Sequence, residues 1–169
     1  MLVSEAIDIL EVTELKQLAV KTDKVAVRSY INSGILELYK RFNLWESEAI
    51  ITIATGVTSY ELDGVDENVA MNLSDHEFLM VEQVWLQPKS DAPAGTYDTE
   101  LTINNRQDPD GVDTLKYNQI KIRTHDDTVL LAGRVLKVVY RATPLFLTNE
   151  TQVIPLPPQF NAALYNYVG

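Results

Sequence analysis

Between Asp23 and Phe42 the apolar residues fall at Val27, Ile31, Ile35, Leu38 and Phe42. Steps of four, four, three and four trace one stripe on a helix of 3.6 residues per turn. Leu36 and Tyr39 widen the stripe, and Lys24, Arg28, Ser29, Asn32, Glu37, Lys40 and Arg41 fill the other faces. The pattern predicts a helix over 23–42. Asp23 suits its N-cap, because a carboxylate accepts from the unpaired N–H groups of the first turn. Lys40 and Arg41 put positive charge in the last turn, where the helix dipole favours it. Gly34 runs against the pattern, since glycine costs about 1 kcal/mol relative to alanine in a helix interior. Close approach of another backbone would offset that cost; the plainer alternative is a tolerated glycine in a core helix.

The segments before this helix are short. Ser4 caps a helix to Leu10 with Ala6, Ile7 and Leu10 apolar, and Thr13 caps a second turn through Leu15, Leu18 and Ala19. Neither holds alone in water, so both need the long helix to pack on. After Phe42 the period drops to two. Ala49–Ile53 and Thr58–Leu62, punctuated by Thr55-Gly56, read as a hairpin. Asp63–Ser74 reads as loop. Phe78–Leu86 carries apolar residues on both parities (Met80, Val81, Val84, Trp85), which predicts a strand buried on both faces. A Pro/Gly-containing loop over 88–96 leads to a short strand over 100–103. Asp108-Pro109-Asp110-Gly111 is a turn signal. Tyr117–Arg123 alternates, with Asn118, Ile120 and Ile122 on one face, and His125–Asp127 turns the chain into a strand over 134–141 that ends by Pro144. Pro155, Pro157 and Pro158 interrupt again. Pro158 suits the first turn of a closing helix, whose stripe is Phe160, Ala163, Leu164 and Tyr167.

Helices segregated from an antiparallel block argue an α+β fold. The expected layout is one domain over 1–169: helices at about 4–42, a β block at about 48–142 and a C-terminal helix at about 158–169. The N- and C-terminal helices are expected to pack as a small bundle, with the β block inserted. Val27, Ile31, Ile35, Leu38 and Phe42 would meet Phe160 and Leu164.

Composition narrows the classes. At 169 residues and 46% apolar the chain is long and apolar enough for a folded core. The absence of cysteine removes disulfides and thiolate chemistry. No apolar run approaches the roughly 20 residues of a membrane span. Glu5 and Asp8 precede any Lys or Arg, unlike a secretory signal. The formal charge is −10, and no basic run offsets it. A protein that grips DNA through phosphates wants the opposite balance. Nucleic acid is therefore either not a partner or is met without being held.

Candidate chemistry is thin. The histidines are His76 and His125, and a polar turn accounts for His125 beside Asp126 and Asp127 better than a metal does. The run from Asp108 to Asp113 has the look of a calcium loop, but lacks the third ligand at the right offset and the glutamate twelve along. Carboxylate pairs abound in an acidic chain, and nothing marks one as acid and another as base. There is no Gly-rich phosphate loop and no nucleophile elbow. Trp45, Trp85 and the tyrosines would suit a stacking surface, but with few basic neighbours core and interface roles account for them better. No catalytic residue, cofactor or metal is expected.

Several local phrases carry a resemblance. They are Tyr30-Ile-Asn-Ser-Gly-Ile-Leu-Glu-Leu-Tyr39, Ala54-Thr-Gly-Val-Thr-Ser-Tyr-Glu-Leu62, Leu101-Thr-Ile-Asn-Asn-Arg-Gln-Asp-Pro-Asp110, Val135-Leu-Lys-Val-Val-Tyr-Arg-Ala-Thr-Pro144 and Leu156-Pro-Pro-Gln-Phe-Asn-Ala-Ala-Leu-Tyr-Asn-Tyr-Val168. Their order and spacing resemble the head-to-tail adaptor proteins of tailed bacteriophages. The resemblance covers most of the chain. It implies a non-catalytic structural protein of the virion neck, assembled in the host cytoplasm. It implies a homo-oligomeric ring, commonly of twelve copies, with a portal protein on the head side and a tail or nozzle protein on the other. Genome DNA would pass through the bore without sequence-specific binding, and no membrane is involved. Such adaptors usually continue the last helix further, so on this resemblance the C-terminus reads as cut short.

The charge fits that role. Acids facing a bore repel phosphate at short range and leave a duplex free to slide. The candidates are the loop acids Asp63, Asp66 and Glu67, and Asp108, Asp110 and Asp113; an ordinary solvated turn explains each of them more simply. Three other readings compete. One is another neck or tail-completion protein, one a non-catalytic ligand- or carbohydrate-binding β domain, and one a hydrolase with an Asp/Glu pair.

Overall fold

The computed structural model describes residues 1–12, 23–88, 91–123 and 131–168. The turn expected at Thr13–Ala19 and the turn at His125–Asp127 lie outside the described residues. The fold is α+β, with helices and antiparallel sheets. The chain forms two compact units: Met1–Asn43 with Pro144–Gly169, and Leu44–Thr143.

The helical unit contains α1 (Val3–Val12), α2 (Lys24–Arg41) and α3 (Asn161–Val168), the last entered through a 3-10 turn at Pro158–Phe160. Asp23 caps α2, its Oδ1 accepting from the Ala26 N–H at 2.9 Å. Val27, Ile31, Ile35 and Leu38 are all buried, as the spacing requires. Phe42, the end of the stripe, lies past the last turn and is 46% exposed, yet its ring meets Phe160 edge-on at 5.1 Å. Leu164 is fully buried.

Gly34 has a steric reason. A Cβ there would lie 2.7 Å from Leu164 Cδ1, 3.2 Å from Tyr167 Cδ1 and 3.3 Å from Val168 Cγ2. The close neighbours are thus side chains of α3, which is neither the backbone approach nor the merely tolerated glycine offered by the sequence. The closing stripe is narrower than expected: Leu164 is buried and Phe160 half-buried, as the stripe requires, but Ala163 and Tyr167 are exposed. With so few turns, α3 offers α2 only a narrow strip, and Gly34 sets where that strip lands.

The two chain ends are stitched together by main chain. Val3 N–H donates to Gln152 O, Ser4 N–H to Glu150 O, and Ile154 N–H to Met1 O. Asn32 spans its neighbours as donor to Leu147 O at 3.1 Å and acceptor from Leu147 N–H at 2.9 Å. The Tyr39 hydroxyl donates to Pro155 O at 2.6 Å.

The β unit holds a five-stranded and a three-stranded sheet. Its strands are β1 (Glu46–Thr52), β2 (Ser59–Glu61), β3 (Val69–Ala70), β4 (His76–Leu86), β5 (Thr99–Leu101), β6 (Val112–Asp113), β7 (Gln119–Ile122) and β8 (Val135–Pro144). The orders are β3-β1-β8-β4-β5 and β2-β7-β6. Alternate residues of β1 and β8 point inward: Ala49 and Ile51, and Leu136, Val138, Tyr140 and Ala142. They pack with Tyr60, Ile120 and Ile122 of the smaller sheet.

Two expectations fail here. β1 and β2 are not a hairpin, because β1 pairs with β3 and β8 while β2 pairs with β7. The Thr55-Gly56 turn, with Gly56 at φ 77°, carries the chain from one sheet to the other. The buried Tyr60 hydroxyl holds that crossing, accepting from Ala54 N–H at 2.9 Å and donating to Val57 O at 3.1 Å. Nor is β4 buried on both faces: Val84 and Leu86 are buried, but Met80 is 44% exposed.

Candidate functional site

The β6–β7 hairpin organises the features of interest. β6 leaves the core at Val112, the chain turns through Leu115–Tyr117, and β7 returns to Ile122, paired with Val112. β2 runs antiparallel to β7, with Ser59 opposite Lys121 and Glu61 opposite Gln119. The Leu62 N–H donates to Asn118 O at 2.7 Å, extending this pairing towards the hairpin turn. The unit therefore has a turn end, beyond Gln119, and an open end, beyond Ile122.

Asp63, Asp66 and Glu67 lie in the loop after Leu62, at the turn end. The Asp63 carboxylate accepts from Val65 N–H at 2.9 Å. Asp66 accepts from the N–H groups of Asn68 at 2.9 Å and Glu61 at 3.3 Å. Asp66 is half-buried and its oxygens organise its own loop, whereas Asp63 and Glu67 are exposed. Between them Val65 stands 82% exposed.

Asp108 and Asp110 lie towards the open end in a loop, and Asp113 lies at the end of β6 beside it, all three around Arg123. The Arg123 guanidinium donates to the Asp113 carboxylate, with Nη2 at 2.5 Å and Nε at 3.0 Å from Oδ1. Its Nη1 donates to Asp108 O at 2.5 Å and to Asn105 O. One cation thus satisfies two main-chain carbonyls and one carboxylate. Asp108 accepts from the Thr102 hydroxyl at 2.7 Å and from Asp110 N–H at 3.1 Å. Asn104, in the left-handed region at φ 56°, ties the neck of the loop to Thr114, accepting from its N–H at 2.9 Å and donating to its hydroxyl at 2.7 Å. Gly111 fits because a Cβ would fall 2.5 Å from Thr102 Oγ1 and 2.7 Å from Thr102 O.

These contacts set the electrostatics. The Thr102 hydroxyl, and then the Asp110 N–H, hold the Asp108 carboxyl below the usual carboxylate range. The donation from Arg123 does the same for Asp113. Asp110 is exposed and its carboxylate takes no part in the brace. Of the six acids flagged by sequence, Asp66, Asp108 and Asp113 brace loops, while Asp63, Glu67 and Asp110 face solvent. The structure brings Asp63, Asp66 and Glu67 into one loop and gathers Asp108, Asp110 and the β6 residue Asp113 around Arg123, at opposite ends of β7.

Sequence reasoning misses two features. One is Arg123 itself, whose signal is its place on the polar side of an alternating strand next to a turn. The other is a cleft of about 410 Å³ between the sheets at the open end. Its walls include Ile53, Leu86, Leu101, Ile122 and Leu136, and Thr99, Asp110 and Arg134 also line it. The Arg134 Nε donates to Gln87 O at 2.7 Å. At the other end of the hairpin, Leu115 is 63% and Tyr117 72% exposed.

A polar chain runs from the exposed Asp75 into the β core. His76, 4% exposed, contacts Asp75 Oδ1 through Nδ1 at 2.7 Å and the Tyr140 hydroxyl through Nε2 at 2.8 Å. Burial pushes the Tyr140 hydroxyl up from its ordinary value. The chain docks the start of β4 on β8. Among the described residues, no three His, Asp or Glu side chains gather as a metal would need. No described helix is long and apolar enough to cross a membrane.

The chain matches no family model, and it matches none of the curated proteins.

Proposed function

We propose that this chain is a structural subunit of a phage neck, a head-to-tail adaptor that forms a ring of about twelve copies between portal and tail. The observation that carries the reading is the spliced layout. Residues 1–43 and 144–169 make one helical unit, and an antiparallel β unit occupies the chain between them. That is the element order on which the resemblance rests. In this reading α1, α2 and α3 act as a small bundle on the portal side, and the chain carries no catalysis.

The acids supply the mechanism. Genome DNA must slide in both packaging and ejection, and each lysine–phosphate contact would add a salt-dependent hold. Of the six acids singled out in the sequence, Asp63, Glu67 and Asp110 are the solvent-facing ones available to line a bore. Repulsion at short range removes such holds, and ions screen it over about 8 Å at physiological salt. The test replaces Asp63 and Glu67, or Asp110, with lysine in assembled particles and follows DNA ejection against salt. Ejection should slow at low salt and recover at high salt in at least one variant. Unchanged ejection from both would remove these acids from the DNA path.

A further inference from the structure

Two loops of the β unit each carry an aspartate followed directly by glycine, Asp63-Gly64 and Asp110-Gly111. The chain has no Asn-Gly step. Glycine lacks a Cβ, so its peptide nitrogen can approach the carboxyl carbon of the preceding aspartate with little steric hindrance. The fold treats the two steps differently.

At the first step the Asp63 side chain is already folded over the following peptide. Its Oδ1 accepts from the Val65 N–H, two residues on, at 2.9 Å. Asp66, Asp108, Asn72, Asn105 and Asn149 make the same turn, but none of them precedes a glycine. Asp63 and Gly64 are both exposed, and Gly64 sits in the left-handed region at φ 75°. A Cβ on Gly64 would meet nothing nearer than Leu73 Cδ1 at 3.8 Å, so the peptide has room to rotate. At the second step Gly111 is buried. A Cβ there would fall 2.5 Å from Thr102 Oγ1, and the Val112 N–H just beyond donates to Thr102 O at 2.9 Å. The Asp110 N–H is tied to the Asp108 carboxylate at 3.1 Å. The Asp110–Gly111 peptide is therefore clamped on both sides, and its nitrogen cannot turn onto the carboxyl unless the loop opens.

We infer that Asp63 is a site of spontaneous isoaspartate formation and that the fold protects Asp110 from the same reaction. The Gly64 nitrogen attacks Cγ of the protonated Asp63 carboxyl. The C–N bond forms, the C–OH bond breaks, and the proton of the nitrogen leaves with the hydroxyl as water. The product is a cyclic imide, and water then adds to one of its two carbonyls. Opening at Cγ restores Asp63. Opening at the main-chain carbonyl leaves the chain running through the former side chain, with the main-chain carboxylate free. One water leaves and one returns, so mass and charge are unchanged. The main chain gains a methylene just ahead of Asp66, whose carboxylate organises that loop by accepting from the Glu61 N–H at 3.3 Å. The chemistry is independent of whether the chain forms a ring.

The test holds the full wild-type chain in warm, mildly acidic buffer made with heavy-oxygen water, and circular dichroism checks that it stays folded. Each passage through the imide leaves one heavy oxygen at the site. Peptide mapping by mass spectrometry reads that label and the isoaspartate at Asp63 and Asp110 separately. In the folded chain Asp63 should react at least about tenfold faster than Asp110. In denaturant the two rates should converge, because only the fold separates them. Asp63→Glu keeps the charge but lengthens the side chain, and its peptide should lose the product. Comparable rates in the folded chain, an unreactive Asp63 or a faster Asp110 would overturn the inference. So would rates that stay apart in denaturant, or a product that persists in the Asp63→Glu peptide.

Discussion

The helical unit and the β unit reach stability by opposite routes. The β unit is one uninterrupted stretch of chain with a continuous core, in which Ile51, Tyr60, Val84, Ile120, Val138 and Tyr140 are essentially sealed from solvent. The helical unit is made from the two ends of the sequence. Its α1 donates main-chain hydrogen bonds to Glu150 and Gln152, and its α2 takes the side chains of α3. Forming it requires closing a loop of roughly a hundred residues, a cost that grows only slowly with length. The insertion is tolerable because it folds on its own core. A change in the helical unit therefore acts on contacts between distant segments, and a change in the β unit acts on a local, cooperative core.

The largest effect should come from Ile35→Ala. Ile35 is buried on α2, and removing it should cost about 2–5 kcal/mol. Trp45 and Trp85 both lie in the β unit, so their fluorescence reports that unit while helical circular dichroism weights the other. The helical signal should lose stability first, with the tryptophan transition moved less. Equal shifts in both probes would mean that the units unfold together and the contrast fails.

Tyr140→Phe is the matching change in the β unit. It removes the hydroxyl that pairs His76 Nε2 and leaves that buried nitrogen without its partner. The expected cost is about 1–3 kcal/mol, read in the tryptophan transition of a denaturant melt. A neutral result would mean that the β4–β8 ladder and the surrounding packing hold the strands without the His76–Tyr140 pair.

Arg123→Ala should have the smallest effect on global stability and the clearest pH signature. Arg123 holds the Asp113 carboxyl below its ordinary value of 3.8. A carboxyl lowered by folding stabilises the fold above its unfolded value and loses that contribution as pH falls through the folded one. The difference between wild type and Arg123→Ala should therefore persist at neutral pH and shrink in acid below about pH 3.8. A difference independent of pH would assign Arg123 to its carbonyl contacts alone. The buried tyrosines work in the other direction. Tyr60 and Tyr140 titrate later when folded, mainly because burial disfavours the phenolate, so their contribution is complete below pH 10.0 and fades as pH rises through their folded values.

Some of this is legible in the sequence, and the rest is hidden for physical reasons. The long helix is readable because a single period runs for five turns under a local cap, and neither depends on distant chain. The β1–β2 pairing misleads because Thr55-Gly56 serves a crossing between sheets as well as it serves a hairpin. β3 and β6 are two residues long and too short to show a period. Met80 breaks the two-sided reading of β4 because apolar residues on both parities record composition, not cover. In the candidate site, Asp108 and Asp113 are visible as acids, but their partner is not. Only the Val112–Ile122 register, set in three dimensions, brings Arg123 under the loop.

A closed ring of identical subunits around a DNA path is what distinguishes an adaptor from a monomeric binding domain or a hydrolase. Native mass spectrometry of the wild-type chain, alone and mixed with a portal protein, tests the proposed ring without intermediaries. A single dominant species at about twelve times the 19.0 kDa chain mass is the expected result. A chain that remains monomeric in both preparations would contradict it.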